Sequence, residues 1–355
     1  MPVDGPVPWP CAEHTGAKHD IYRRYLERWF PILLAGYPSV TYAEGFAGPG
    51  IYSGGEAGSP VIAIRALVQE VSANKGITRF VFIDDDERCV KMLRETLQEA
   101  FPVRPRSESA MPVMMGKGTC ADDLGVALDQ MGAWGQPIFA NLDSWGNAPV
   151  PFKLLQRLAG NVSTEVIVTL LPQHFVRFVS NMGEAGDDVF GGDPHWRDVV
   201  NLPPAAKSRH ILTCYRQALE KAGFPYLLDF ELIPRNGQPL YLVFGTGHPL
   251  GVQKMKDSLW EVDRAQGVGF RDPRDEQAET LFAMDEPLLG PLTRLLQQRL
   301  RDSGPVRVED LRRFALLETV YRPEHVIKAL KPLVDNGSVK IADGGRLQRS
   351  SFVSL

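Results

Sequence analysis

Four acids stand where four strand-like runs of the sequence end. Glu44 closes Val40-Thr41-Tyr42-Ala43, Asp84 follows Arg79-Phe80-Val81-Phe82-Ile83, Asp122 follows a run around Met111 to Cys120, and Asp143 follows Pro137 to Leu142. After Glu44 comes Gly45-Phe46-Ala47-Gly48-Pro49-Gly50. Glycines at a strand-to-loop junction let a bound molecule approach the backbone at the carboxyl end of a parallel sheet. Neither GxGxxG nor GxxxxGK[ST] occurs, so a phosphate-gripping loop is disfavoured against one that holds a nucleoside without a phosphate linker. S-adenosylmethionine fits that description. Its amino group calls for an acid such as Glu44, its ribose hydroxyls for Asp84 and its adenine amino group for Asp122, with Gly45, Phe46, Gly48 and Gly50 forming the loop beside it. A Gly-Pro-Gly segment alone is a tight turn, and a lone strand-end Asp is a helix cap. The three acids after three successive strands together point to the cofactor.

Facing that site, Asn141-Leu142-Asp143-Ser144-Trp145-Gly146 supplies candidates for the transfer itself. Asp143 or Asn141 would orient or deprotonate a nucleophile, and Trp145 would stack on a flat substrate such as a base; the competing reading is a capped strand end with a core tryptophan. His14, Lys18 and His19 group near the N-terminus as substrate contacts or as a structural cap. Helical spacing does not align His14 with His19 as metal ligands, and His174, His195, His210 and His248 show no ligand spacing, so no metal site is expected.

The elements that must position these residues alternate. Apolar positions Ile21, Tyr25, Leu26, Trp29 and Phe30 predict an amphipathic helix over residues 15–34, with Arg23, Arg24, Glu27 and Arg28 on other faces. Helices are expected over 60–71, 87–101, 121–131 and 211–222, between strands at 40–44, 79–83, around 111–120, at 137–142 and at 165–170. Residues 183–210 read as an inserted excursion. Two last strands, 226–233 and 240–245, flank the turn Pro234-Arg235-Asn236-Gly237. Strands separated by helices predict an α/β fold of Rossmann-like type, a parallel sheet covered on both faces and ending in a hairpin.

The 355 residues suit two domains. The sequence places a Rossmann-like domain at 1–265, a linker at 266–290 and a small domain at 291–355. The latter reads as helices over 292–301, 308–317 and 323–334 followed by a ribbon, the order of a winged helix. Pro332 is expected to shorten or kink the third helix. Residues 294–355 carry 12 Lys+Arg against 7 Asp+Glu, a charge of +5 beside −9 for the rest of the chain. Such a tail is either a solvated helical surface or a nucleic-acid face. On the second reading Arg322, His325, Lys328 and Lys331 line a groove-entering helix, and Arg346 and Arg349 lie on the wing. Hydrophobic residues at 44% and charged residues at 23% exclude a disordered chain. No apolar run long enough to span a membrane and no secretory leader are read, and four scattered cysteines (Cys11, Cys89, Cys120, Cys214) read as reduced thiols, so a cytoplasmic location is expected.

These residues carry a resemblance. His14-Thr15, Ala17-Lys18-His19, Tyr25-Leu26, Trp29, the Glu44–Gly50 run and Gly58-Ser59-Pro60 occur in order, and so do Phe82-Ile83-Asp84, Phe190-Gly191, Trp196-Arg197, His248-Pro249-Leu250-Gly251 and Met255-Lys256. Tyr321-Arg322-Pro323 and His325 continue it. The chain resembles the three-Cys-motif partner proteins, a bacterial family. The resemblance implies a class I methyltransferase-like domain that uses S-adenosylmethionine, a C-terminal winged helix, and a radical-enzyme-like partner that itself carries the cysteines. Where many members have Asp-Pro-Phe-Gly, this chain has Asp143-Ser144-Trp145-Gly146, keeping the acid and an aromatic and lacking the proline. Three readings result: a methyltransferase of a nucleic acid or modified nucleotide, a methyltransferase of a small metabolite whose winged helix dimerises or covers the substrate, and a non-catalytic DNA-binding partner.

Overall fold

The computed structural model describes residues 5–70, 76–103, 107, 109–144, 146–147, 149–271, 287–342 and 344–355. The chain forms two compact units, one running through His248, the other holding Pro249–Gly269 and the described residues from 287 to Leu355.

In the first unit, helix α1 (Glu13–Gly36) precedes β1 (Ser39–Glu44), α2 (Ser59–Glu70), β2 (Ile77–Asp84), α3 (Glu87–Ala100), β3 (Val113–Lys117), α4 (Leu124–Gln130), β4 (Ile138–Leu142), α5 (Phe152–Ala159) and β5 (Glu165–Leu170). Then come α6 (Pro172–Phe178), α7 (Gly183–Val189), a 3-10 helix (Pro194–Asn201), α8 (Pro204–Ala222), β6 (Tyr226–Ile233) and β7 (Leu240–Thr246). The sheet order is β3-β2-β1-β4-β5-β7-β6, with β8 (Gly269–Arg271) beyond β6. β1 to β5 are parallel, and β7 enters antiparallel between β5 and β6. This order, with its reversed seventh strand, is the Rossmann-like sheet of class I methyltransferases.

Strand alternation sorts the core into two layers. One face of the central strands is aromatic: Tyr42 stacks on Phe139 at 5.8 Å, and α1 covers them with Tyr25 and Trp29, 5.5 and 5.8 Å from Phe139. Tyr25, Leu26, Trp29 and Phe30 recur at helical spacing and are buried, which fixes α1 to this face at about 2 kcal/mol for each large side chain. The opposite face presents Ala43, Val81, Ile83, Ala140, Leu142, Val166 and Val168 to Leu124, Leu128, Leu154, Leu155, Ile211 and Leu219 of α4, α5 and α8. The 183–210 excursion is built rather than loose. Phe190 stacks on Trp196 at 5.0 Å, Phe175 and Tyr215 meet Phe190 edge-on, and α8 begins at Pro204, seven residues before the apolar pattern starts.

The second unit holds α9 (Pro249–Val262), α10 (Gly290–Ser303), β9 (Val306–Arg307), α11 (Val308–Glu318), α12 (Pro323–Asp335), β10 (Lys340–Ile341) and β11 (Phe352–Ser354). Its antiparallel sheet is ordered β10-β11-β9. The sequence places α9 with the larger domain, but its Trp260 packs in the second unit's core and donates to Val320 O at 2.9 Å. Buried Lys256 caps the frayed end of α11, donating to the carbonyls of Ala315 (3.1 Å), Leu316 (2.6 Å) and Tyr321 (3.2 Å). α12 runs on through exposed Pro332 to Asp335. Of the expected linker, 272–286 lies outside the described residues.

Candidate functional site

The parallel strands place Glu44, Asp84, Asn141 and Thr169 at one edge of the sheet, their carboxyl ends. The loop after β1 folds back on β2: Ala47 donates its N–H to Ile83 O (3.0 Å) and Gly48 donates its N–H to Asp84 Oδ2 (2.7 Å). Gly48 and Gly50 have φ of +63° and +74°, which only glycine adopts without strain. Gly58 donates to Gly50 O at 2.7 Å, and a Cβ there would lie 2.8 Å from the Gly50 carbonyl carbon, so two backbones meet with no room for a side chain. Phe46 is half-buried on the core beneath.

Asp84 is oriented by this loop, since Oδ1 accepts the Asp86 N–H at 3.0 Å while Oδ2 accepts that of Gly48. Burial pushes its carboxyl above the usual range, although both backbone donors oppose the rise. The Cys89 side chain is a third partner of this carboxyl, which leaves it acceptor capacity for a ribose hydroxyl, and the glycine-rich loop beside it suits a nucleoside that approaches the backbone. Asp122 is exposed on the turn after β3, where it accepts the Thr119 hydroxyl at 3.0 Å.

Glu44 corrects the sequence reading. Its side chain turns into the α1 face of the sheet, 1% exposed, and accepts Tyr42 OH on one oxygen and Ser59 Oγ on the other, both at 2.7 Å. Burial pushes its carboxyl up to about 8 against those two donors. A buried acid so enclosed is not the free carboxylate an ammonium group requires. Asn141 belongs to the same network, being buried and donating Nδ2–H to Tyr42 OH at 3.3 Å, so it supports the site from within the sheet.

A second cluster lies at the end of β4. Lys18, on α1, forms an ion pair with Asp143 Oδ2, and Thr169 at the end of β5 donates its hydroxyl to Asp143 Oδ1 at 2.6 Å. The Lys18 and Asp143 side chains are 11% and 18% exposed. Burial alone would raise the Asp143 carboxyl, but the Lys18 charge, its hydrogen bond and the Thr169 hydroxyl outweigh it and hold Asp143 below the usual carboxylate range. Beside it His19 is pushed down to about 3 by burial and then by Lys18, so its ring is neutral. That ring lies between Tyr22 and Tyr52, 6.1 and 5.5 Å away. His14 sits one helical turn before Lys18 on the same side of α1. Trp145 lies outside the described residues. A neutral histidine, a fixed ionised carboxylate and an enclosing tyrosine pair are equipped to hold an N–H or O–H group by its proton.

No family model and no curated relative matches the chain. Solved structures do. The structure of EvdMO1 aligns with 12% identity and a TM-score of 0.36 over 65% of this chain and 42% of its own. DszA carbon methyltransferase aligns with 10% identity and a TM-score of 0.33 over 59% of this chain and 47% of its own. A SAM-dependent methyltransferase from Aquifex aeolicus aligns with 13% identity and a TM-score of 0.29, over 62% and 88%. The chain thus spans under half the length of the first two.

Thr169 and Tyr52 are site residues that sequence reasoning passed over. Thr169 had one signal, a lone hydroxyl near the end of the otherwise apolar run Val166 to Leu170; Tyr52 had none. In the second unit the groove-helix assignment is corrected at two positions. His325 is fully buried against Trp260, ring centroids 4.4 Å apart, where burial pushes it down to about 3; it caps the start of α12. Arg322 is engaged with Glu324 at 2.8 Å and Asp257 at 3.9 Å. Lys328, Lys331, Arg346 and Arg349 are exposed. Among the described residues no group of three His, Cys, Asp or Glu could hold a metal, and no helix is long and apolar enough to cross a membrane.

Proposed function

We propose that the chain is an S-adenosylmethionine-dependent methyltransferase acting on a nucleic acid or modified nucleotide. The observation that carries this reading is the Lys18–Asp143–Thr169 cluster, a fixed and ionised carboxylate at the same sheet edge as a glycine-rich loop and its Asp84. When bound, the cofactor supplies an electrophilic methyl group. Asp84 would hold its ribose hydroxyls, and the backbone at Gly48 and Gly50 would lie against it. Asp143 accepts the proton-bearing N–H or O–H of the acceptor and so aims its lone pair, which is the positioning that such a transfer needs most. Lys18 and Thr169 hold Asp143 in place, and neutral His19 adds no positive charge beside a cationic donor. After α9, the second unit's order of helix, strand, two helices and two strands is read as a winged helix that docks the polymer, and the family resemblance proposes a three-Cys-motif radical-enzyme-like protein as partner.

A small-metabolite acceptor is the second reading, and the withdrawal of Arg322 and His325 from the exposed surface favours it. Calorimetric titration with S-adenosylmethionine and S-adenosylhomocysteine tests the cofactor. Micromolar binding that Asp84→Ala abolishes supports the reading, and an acceptor screen of RNA, DNA and nucleosides follows. Binding unchanged in the variant removes Asp84 from the ribose, and no binding by the natural chain overturns the methyltransferase reading.

A further inference from the structure

The small sheet of the second unit has one face packed on its core and one open. Val306, Ile341 and Val353 face inward. Strand alternation then turns Arg307, Lys340, Phe352 and Ser354 outward. Phe352 is 51% exposed, a large aromatic on a polar face. Arg307 stands directly opposite it on β9, and Lys340, opposite Ser354 on β10, is its diagonal neighbour. An exposed ring is thus set between two cations, both exposed.

We infer that this outward face, Arg307, Phe352 and Lys340, binds single-stranded nucleic acid, with an unpaired base on the Phe352 ring and phosphates on the two cations. The inference rests on the nucleic-acid reading above and gives its docking surface. Charge complementarity selects the occupant. Arg307, Lys340, Arg346 and Arg349 have no ion-pair partner among the described residues; Lys328 and Lys331 on α12 share that state, but only the sheet sets such cations directly beside an exposed aromatic ring. Glu309, whose N–H meets Arg349 O at 3.1 Å, turns its carboxylate to Arg312 instead. A second copy laid on this face would set cations against cations, so the charge calls for a polyanion. The ring selects an unpaired base, because a base within a duplex has both faces already stacked. The sequence spreads the nucleic-acid face over the third helix and the wing; with Arg322 and His325 withdrawn at the start of α12, the base-stacking part of that face falls to the sheet.

The test is fluorescence anisotropy of the full chain with a labelled RNA of about 12 nucleotides, single-stranded and as its duplex, across a salt series. Phe352→Ala is expected to weaken single-strand binding about tenfold, with Phe352→Trp restoring it. Arg307→Gln with Lys340→Gln is expected to reduce the slope of log affinity against log salt by about 1.4, two single-strand phosphate contacts. The side chains are outward, and unchanged thermal midpoints certify the fold of each variant. Equal affinity for the duplex, or an undiminished affinity in Phe352→Ala, overturns the inference, as does a concentration-dependent dimer that Phe352→Ala dissolves. Cofactor titration of the same variants keeps the two readings apart: cofactor binding without RNA binding defeats only the surface, and the reverse defeats only the methyltransferase.

Discussion

Asp143 owes its ionised state chiefly to Lys18. Without Lys18 its carboxyl has burial against it and only the Thr169 hydroxyl and the smaller influence of His19 in its favour, so Lys18→Met is expected to move the acid limb of the pH–rate profile upward. Breaking a buried pair from one side also costs about 3 kcal/mol of stability, readable as a lower denaturant midpoint. Asp143→Asn keeps the shape and removes the charge. Turnover is expected to fall about 100-fold with cofactor affinity within about twofold, and unchanged turnover would take Asp143 out of the mechanism. Both residues are legible in the sequence as separate candidates, but their pairing is not. It joins positions 125 residues apart, and only the placement of α1 over the ends of β4 and β5 brings them together. The same limit explains Glu44: the sequence shows an acid at a strand end, while the pleat decides whether it points at the loop or into the sheet.

At the scale of elements, the loop from β1 to α2 is set by backbone contact. Gly58→Ala would force its Cβ into the Gly50 carbonyl, so we expect a loss of about 1–3 kcal/mol in stability together with weakened cofactor binding, checked by thermal melts and calorimetry. Strands and their order of alternation are legible because buried parallel strands have continuous apolar runs flanked by turn chemistry, as Pro137 to Leu142 shows. The phase of α12 is not. Val326, Ala329, Leu330 and Leu333 mark its buried face, and His325 sits at the edge of that stripe, where a polar residue reads equally as surface or as core. The second unit's claim on α9 is likewise carried by Lys256, a charged residue whose burial no apolar pattern announces.

At the scale of the whole molecule, two buried carboxyls of the first unit favour the folded chain at low pH. Glu165 accepts Tyr25 OH at 2.5 Å and Thr246 Oγ1 at 2.9 Å, and burial pushes it up to about 7; Glu44 is pushed to about 8. Both bind a proton more tightly in the folded chain than in the unfolded one. Their contribution is therefore complete below the ordinary carboxylate range and is lost as pH rises through about 7 and about 8. Denaturant midpoints of the first unit are expected to fall between pH ~5 and ~8. Glu165→Gln should flatten the part below about 7, and a profile that the change leaves intact would assign the slope elsewhere.

The helix that delivers Lys18 is also the lid of the aromatic core. A molecule whose α1 comes away from the sheet loses its ion pair and in the same event uncovers Tyr25, Leu26, Trp29 and Phe30, the kind of surface that chaperones and proteases capture. Chemical competence and cellular lifetime are thus tied to one attachment.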